Sequence, residues 1–176
     1  MNKHLLNIPF VLFFIMLLIF FYLLVIDRNP ARIQSALLDN KVPEFEVDSL
    51  LNDEKFFSSK EFGEQIVIVN FFATWCKPCE AEHIFIKKFS DKNKLKIVGI
   101  NYKDNPKKTI KWLKKLGNPY SNIALDKKGK VAIDWGVYGI PETFVVNSTG
   151  IIKYRHVGPI TKNIYKKITE VIRKTN

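Results

Sequence analysis

Ile66-Val67-Ile68-Val69-Asn70-Phe71-Phe72-Ala73-Thr74-Trp75-Cys76-Lys77-Pro78-Cys79 carries a β-branched and aromatic run of strand length straight into both cysteines of the chain. Downstream, Glu80 to Phe89 reads as helix. Ala81, Ile84, Phe85 and Phe89 recur at three- and four-residue intervals as its expected apolar stripe, with Glu82, Lys87 and Lys88 between them. The cysteines therefore fall at a strand-to-helix junction. Free backbone N–H groups and the positive end of the helix dipole favour a thiolate there, and Lys77 adds a neighbouring charge. Cys76 is the expected nucleophile. Cys79 lies almost one turn further on, placed to close a disulfide or to break a mixed one, and Pro78 suits a first turn because it has no N–H to lose.

Working outward, a helix, a second buried strand (Leu95 to Tyr102) and a helix from Pro106 to Leu116 follow, the last stopping at Gly117-Asn118-Pro119. Strand, helix, strand in that order predicts a parallel pair with a right-handed crossover. Ser121 to Leu125 is a weaker extended segment and Lys130 to Trp135 a short helix. Thr143 to Val146 and Ile151 to His156 form a hairpin across Asn147-Ser148-Thr149-Gly150. Thr161 to Arg173 is a closing helix with Ile164, Ile168, Val171 and Ile172 inward. Ahead of the cysteine strand, Val42 to Val47 alternates as an edge strand does, and Phe56 to Phe62 reads as a short strand running into a Ser-capped turn ended by Gly63. A C-x-x-C motif beside such a β-α-β pattern predicts an α/β thioredoxin-like fold, a central mixed sheet flanked by helices.

The N-terminal tract, Ile8 to Ile26, is apolar apart from Pro9 and Tyr22. It reaches about 28 Å as a helix, close to the hydrocarbon thickness of a bilayer. Asp27-Arg28-Asn29-Pro30 follows with no small-x-small cleavage site, so the expectation is an uncleaved transmembrane signal anchor over 1–27, a tether over 28–41 and a thioredoxin-like domain over 42–176. Lys3 on one side and Arg28 and Arg32 on the other leave the orientation open.

The formal net charge of the 176 residues is +11. Its lysines are scattered in pairs such as Lys87-Lys88, Lys107-Lys108 and Lys114-Lys115, the pattern of a solvated surface rather than a nucleic-acid footprint; no nucleic-acid motif or zinc-finger spacing is present. Two cysteines do not make a disulfide scaffold in a domain of this size. Metal delivery is the rival reading of Cys76 and Cys79, with His83 and His156 as further ligands. A closed zinc site would need those distant histidines to converge, and redox chemistry is preferred. Glu80 stands where haem attachment would require histidine.

Three motifs then carry a family resemblance. Ala73 to Cys79, Gly136-Val137-Tyr138-Gly139-Ile140-Pro141-Glu142-Thr143-Phe144 and Tyr154-Arg155-His156-Val157-Gly158 resemble the DsbE/CcmG group, membrane-anchored thioredoxin-like thiol:disulfide interchange proteins of cytochrome c biogenesis. The resemblance implies a single-pass anchor in the bacterial inner membrane, with the domain facing the periplasm. It implies a cis peptide before Pro141, facing the disulfide, with neighbours including Ile140 and Tyr138 that would meet an extended substrate. Trp75, adjacent to the nucleophile, belongs to the same expected surface. It also implies acidic active-site roles for Glu82 and Glu142. Where many thioredoxins carry a buried aspartate this chain has Asn70, which makes Glu82 the substitute proton carrier. The expected substrate is apocytochrome c or a haem-ligation thiol protein, and the expected electron donor a membrane protein of the DsbD/CcdA type. No cofactor is called for beyond the Cys76–Cys79 disulfide itself. General thiol-disulfide exchange and thiol oxidation are the alternatives. His83 and His156 are expected to pack rather than react.

Overall fold

The structure, a computed structural model, describes residues 3–25, 37–51, 56–93 and 95–175. The chain divides into two compact units, Met1–Ile33 and Gln34–Asn176. The first contains helix α1, Lys3–Val25. Its described side chains are almost all exposed, Phe10, Phe14, Leu18 and Leu24 among them. Taken over the described residues, no helix is long and apolar enough to cross a membrane.

In the second unit a five-stranded sheet has the order β5-β4-β3-β6-β7. Its strands are β3 (Val67–Phe72), β4 (Lys96–Tyr102), β5 (Asn122–Asp126), β6 (Glu142–Val146) and β7 (Ile152–Val157). β3, β4 and β5 run parallel, and β6 and β7 return antiparallel, so the mixed sheet expected from the sequence is present. β3 sits at the centre and is buried at every position, as a strand covered on both faces must be. Its alternation sorts the core. Ile68, Asn70 and Phe72 face α2 (Lys77–Asn93), α3 (Pro106–Leu116) and α5 (Lys162–Thr175); Val67, Val69 and Phe71 face the opposite layer. That second layer holds the small β1–β2 sheet (Glu46–Asp48 with Phe56–Ser58), a 3-10 turn and α4 (Lys130–Asp134). Its centre is Trp135, whose ring meets Phe45, Phe62, Phe71 and Phe144.

Local chemistry sets the element ends. Asn105 caps α3 by accepting from the Lys107 and Lys108 amides, with Pro106 as the first helical residue. Ser58 and Glu61 form a reciprocal capping box on the 3-10 turn. Asn147 Oδ1 accepts from Thr149 N and Ile151 N to shape the β6–β7 hairpin. Leu37 to Val42 lies along β7, where Asp39 N donates to Ile152 O and Val42 N to Gly150 O.

One packing expectation is corrected. On α2 the buried stripe is Cys79, Glu82, His83, Ile86 and Phe89, whereas Ala81 and Ile84 point to solvent, Ile84 being 57 % exposed. A pattern drawn through apolar residues alone misses a helix that turns two polar side chains inward.

Candidate active site

Cys76 and Cys79 form a disulfide at the start of α2, both buried. Cys76 stands at the N-cap position. Its Sγ accepts from Cys79 N at 3.2 Å, and its carbonyl oxygen accepts from Glu80 N, so the sulfur sits where the unsatisfied amides of the first turn point. Lys77 projects into water and pairs with Glu80 at 3.3 Å, an exposed contact of little energetic weight.

The peptide between Ile140 and Pro141 is cis. Ile140 O lies 3.7 Å from Cys76 Sγ, so the segment entering β6 lies against the disulfide. Beside it opens a cleft of about 290 Å³ lined by Trp75, Tyr102, Val137, Tyr138, Gly139 and Ile140. Trp75 and Tyr138 are more than half exposed, while Pro141 is buried and its carbonyl oxygen accepts from Gly158 N. Three of the four residues expected to meet substrate, Trp75, Tyr138 and Ile140, thus line one cleft.

The two acids have different surroundings. Glu82 faces the sheet beneath the cysteines, 1 % exposed, and both oxygens are held: Oε1 accepts from Asn70 Nδ2 at 2.8 Å and Oε2 from Ile160 N at 2.8 Å. Burial pushes its pKa up to about 7, the two hydrogen bonds opposing that rise in part. Asn70 in turn donates to Thr143 Oγ1 and accepts from the Tyr120 hydroxyl. Glu142 is fully buried on the other face, beside Phe144. It pairs with Arg155 Nε at 2.7 Å and accepts from Tyr138 N, while Arg155 Nη2 donates to Gly136 O. Arg155 also stacks its guanidinium over the Tyr138 ring. Glu142 therefore ties down the Gly136–Ile140 wall of the cleft. The two motifs containing Arg155 and Glu142 meet in this ion pair.

His83 is buried; its Nε2 contacts Gly117 O at 2.8 Å and its ring meets the edge of Trp112, and burial lowers its pKa. His156 contacts Pro159 O and is lowered for the same reason. Asp104 was not singled out from the sequence. Its carboxylate accepts from Thr74 N at 2.6 Å, Thr74 Oγ1 at 3.0 Å and Asn105 N at 2.7 Å, and Trp75 Nε1 donates to the adjacent Lys103 carbonyl. The β4–α3 loop thus fixes the turn carrying Trp75 into Cys76. Only the acid's position just before a capping Asn-Pro could have hinted at this.

Comparison with known proteins agrees with this arrangement. Residues 37–171 match the Redoxin family. The chain is 41 % identical to the thiol:disulfide interchange protein DsbE of Tatumella citrea, with 94 % of this chain and 91 % of that protein aligned. It is 40 % identical to DsbE of Escherichia coli K12, over 79 % and 75 % of the two chains. A crystal structure described as a putative DsbE from Chlorobium tepidum superposes with a TM-score of 0.70 at 21 % identity, covering 78 % of this chain and 96 % of that one, a likeness of fold. With its cysteine pair at the head of α2 and its sequence aligned to these relatives nearly throughout, the chain belongs to the Redoxin family, in its DsbE group of thiol:disulfide oxidoreductases.

Proposed function

We propose that this oxidoreductase is a membrane-anchored periplasmic reductase, and that its substrate is a disulfide in apocytochrome c or in a thiol protein of haem ligation. The observation that carries the reading is the Cys76–Cys79 pair set against the Trp75–Tyr138–Ile140 cleft, with the Glu82 carboxyl buried on the same helix face as Cys79. The motifs shared with the DsbE/CcmG group supply the compartment and the substrate class.

In the reduced protein the Cys76 thiolate attacks one sulfur of the substrate disulfide. An S–S bond forms between the proteins and the other substrate sulfur leaves as a thiolate. Cys79 then loses its proton to Glu82, attacks Cys76 Sγ and expels the second substrate thiolate. Two electrons have passed to the substrate, and Cys76–Cys79 is left oxidised. A membrane dithiol donor of the DsbD/CcdA type returns them. No further cofactor enters. The exposed apolar side chains of α1 support an inner-membrane anchor, since such a surface is stable in hydrocarbon and costly in water.

The test is the equilibrium reduction potential of the full chain in detergent micelles, joined to complementation by Cys76→Ser. A potential well below the glutathione couple and complete loss of cytochrome c assembly are expected. A potential near that of a strong oxidant, or normal assembly with Cys76→Ser, would sink the reading.

A further inference from the structure

Tyr120 lies just ahead of β5, buried among apolar side chains, and its hydroxyl reaches over Gly99 of β4 to Asn70 Oδ1 on β3 at 2.9 Å. A carboxamide has an oxygen and an NH2 group of nearly the same shape, so which end faces a neighbour depends on its other partners. The Tyr120 hydroxyl donates here to the oxygen, which seats the amide with its NH2 group turned the other way. Asn70 is then left with Nδ2 facing Glu82 Oε1 at 2.8 Å and Thr143 Oγ1 at 3.1 Å. A rotated amide would set its oxygen against the carboxylate. The tyrosine ring has little freedom to release it. It stacks on Phe72 at 4.7 Å between centroids, and it occupies space left by Gly99, where a Cβ would come 3.0 Å from ring Cδ1.

We propose that Tyr120 is a positioning residue for disulfide exchange: its hydroxyl locks the Asn70 amide so that it donates to Glu82 and holds that carboxyl group on the face shared with Cys79. The proposal rests on Glu82 as the proton carrier. Of the titratable groups, Cys79 and His83 share the buried face of α2 with Glu82, and Tyr120 interacts with its carboxyl from the opposite side. His83 is engaged with Gly117 O, and Ile160 N from the α5 side contributes a neutral donor.

Tyr120→Phe keeps the stacked ring and removes only the hydroxyl. The readout is the carboxyl 13C shift of Glu82 against pH in the full reduced chain in micelles, beside the pH profile of its reduction of a model peptide disulfide. The Glu82 midpoint is expected to rise by about half a pH unit or more as its Asn70 bond weakens. The rate profile should move up with it, and the rate at neutral pH should fall about two-fold or more. Asn70→Ala should shift the midpoint in the same direction, and the double variant no further, because the hydroxyl acts only through that amide. An unmoved midpoint in Tyr120→Phe, or additive shifts in the double variant, overturns the proposal. A shifted midpoint with an unchanged rate profile instead overturns Glu82 as the proton carrier.

Discussion

The Glu82 carboxyl has a pH signature of its own. Its ordinary value near 4.5 rises to about 7 on folding, mainly because burial disfavours the charged form. Below pH 4.5 both folded and unfolded chains hold this proton, and the stability is at its full value. As pH rises the unfolded chain releases it first, so stability declines between about 4.5 and 7 and then levels. The contribution is about 3 kcal/mol. Melting temperature measured across that window should fall for the parent protein and stay flatter for Glu82→Gln. The glutamine variant should also start lower at acid pH, because one of its two ends presents NH2 to a donor, either Asn70 Nδ2 or Ile160 N. Asp104 acts at the same scale by different means: an acceptor for two backbone amides, the Asn101 side-chain amide and a hydroxyl, it fixes backbone geometry ahead of Cys76.

At the scale of elements, the clearest dependence is of the 136–140 loop on β6 and β7. Arg155→Met would leave Glu142 buried without its cation, which costs about 3–5 kcal/mol, whereas Arg155→Met with Glu142→Gln should recover part of that loss. Urea unfolding of the single and double variants measures both. The strands and helices themselves were readable. Pro106 after a capping asparagine, the Asn147–Gly150 turn and the β-branched run into Trp75 each act locally, through φ, a side-chain acceptor or burial. The cysteine pair was readable for the same reason. The packing of α2 was not, because Glu82 and His83 are polar residues whose partners, Ile160 N and Gly117 O, come from distant parts of the chain. Tyr120 and Asn70 are separated by fifty residues, and only the β3–β4 register and the placement of Gly99 bring them together. Glu142 illustrates the converse: its motif drew attention correctly to the residue, yet the strand alternation turns it away from the face that carries Glu82.

For the whole molecule, the unit Gln34–Asn176 contains both core layers and every residue of the site. A chain beginning at residue 34 should melt within a few degrees of the full protein and retain thiol exchange in vitro, while losing the membrane association proposed for the full chain; calorimetry and flotation assays check the two halves of that statement. The positive excess of +11 lies outside the cleft, whose lining residues carry no charge. Long-range attraction and close fit are thus separate properties of the surface. The central sheet divides the chemistry in a similar way. Asn70 and Phe71, adjacent on β3, look toward opposite layers, Glu82 behind one and the Glu142–Arg155 pair behind the other. The two acids consequently act apart: one is tied to a guanidinium that keeps its charge, and the other, in the mechanism proposed above, is a single vacancy that fills and empties once for each thiol that resolves.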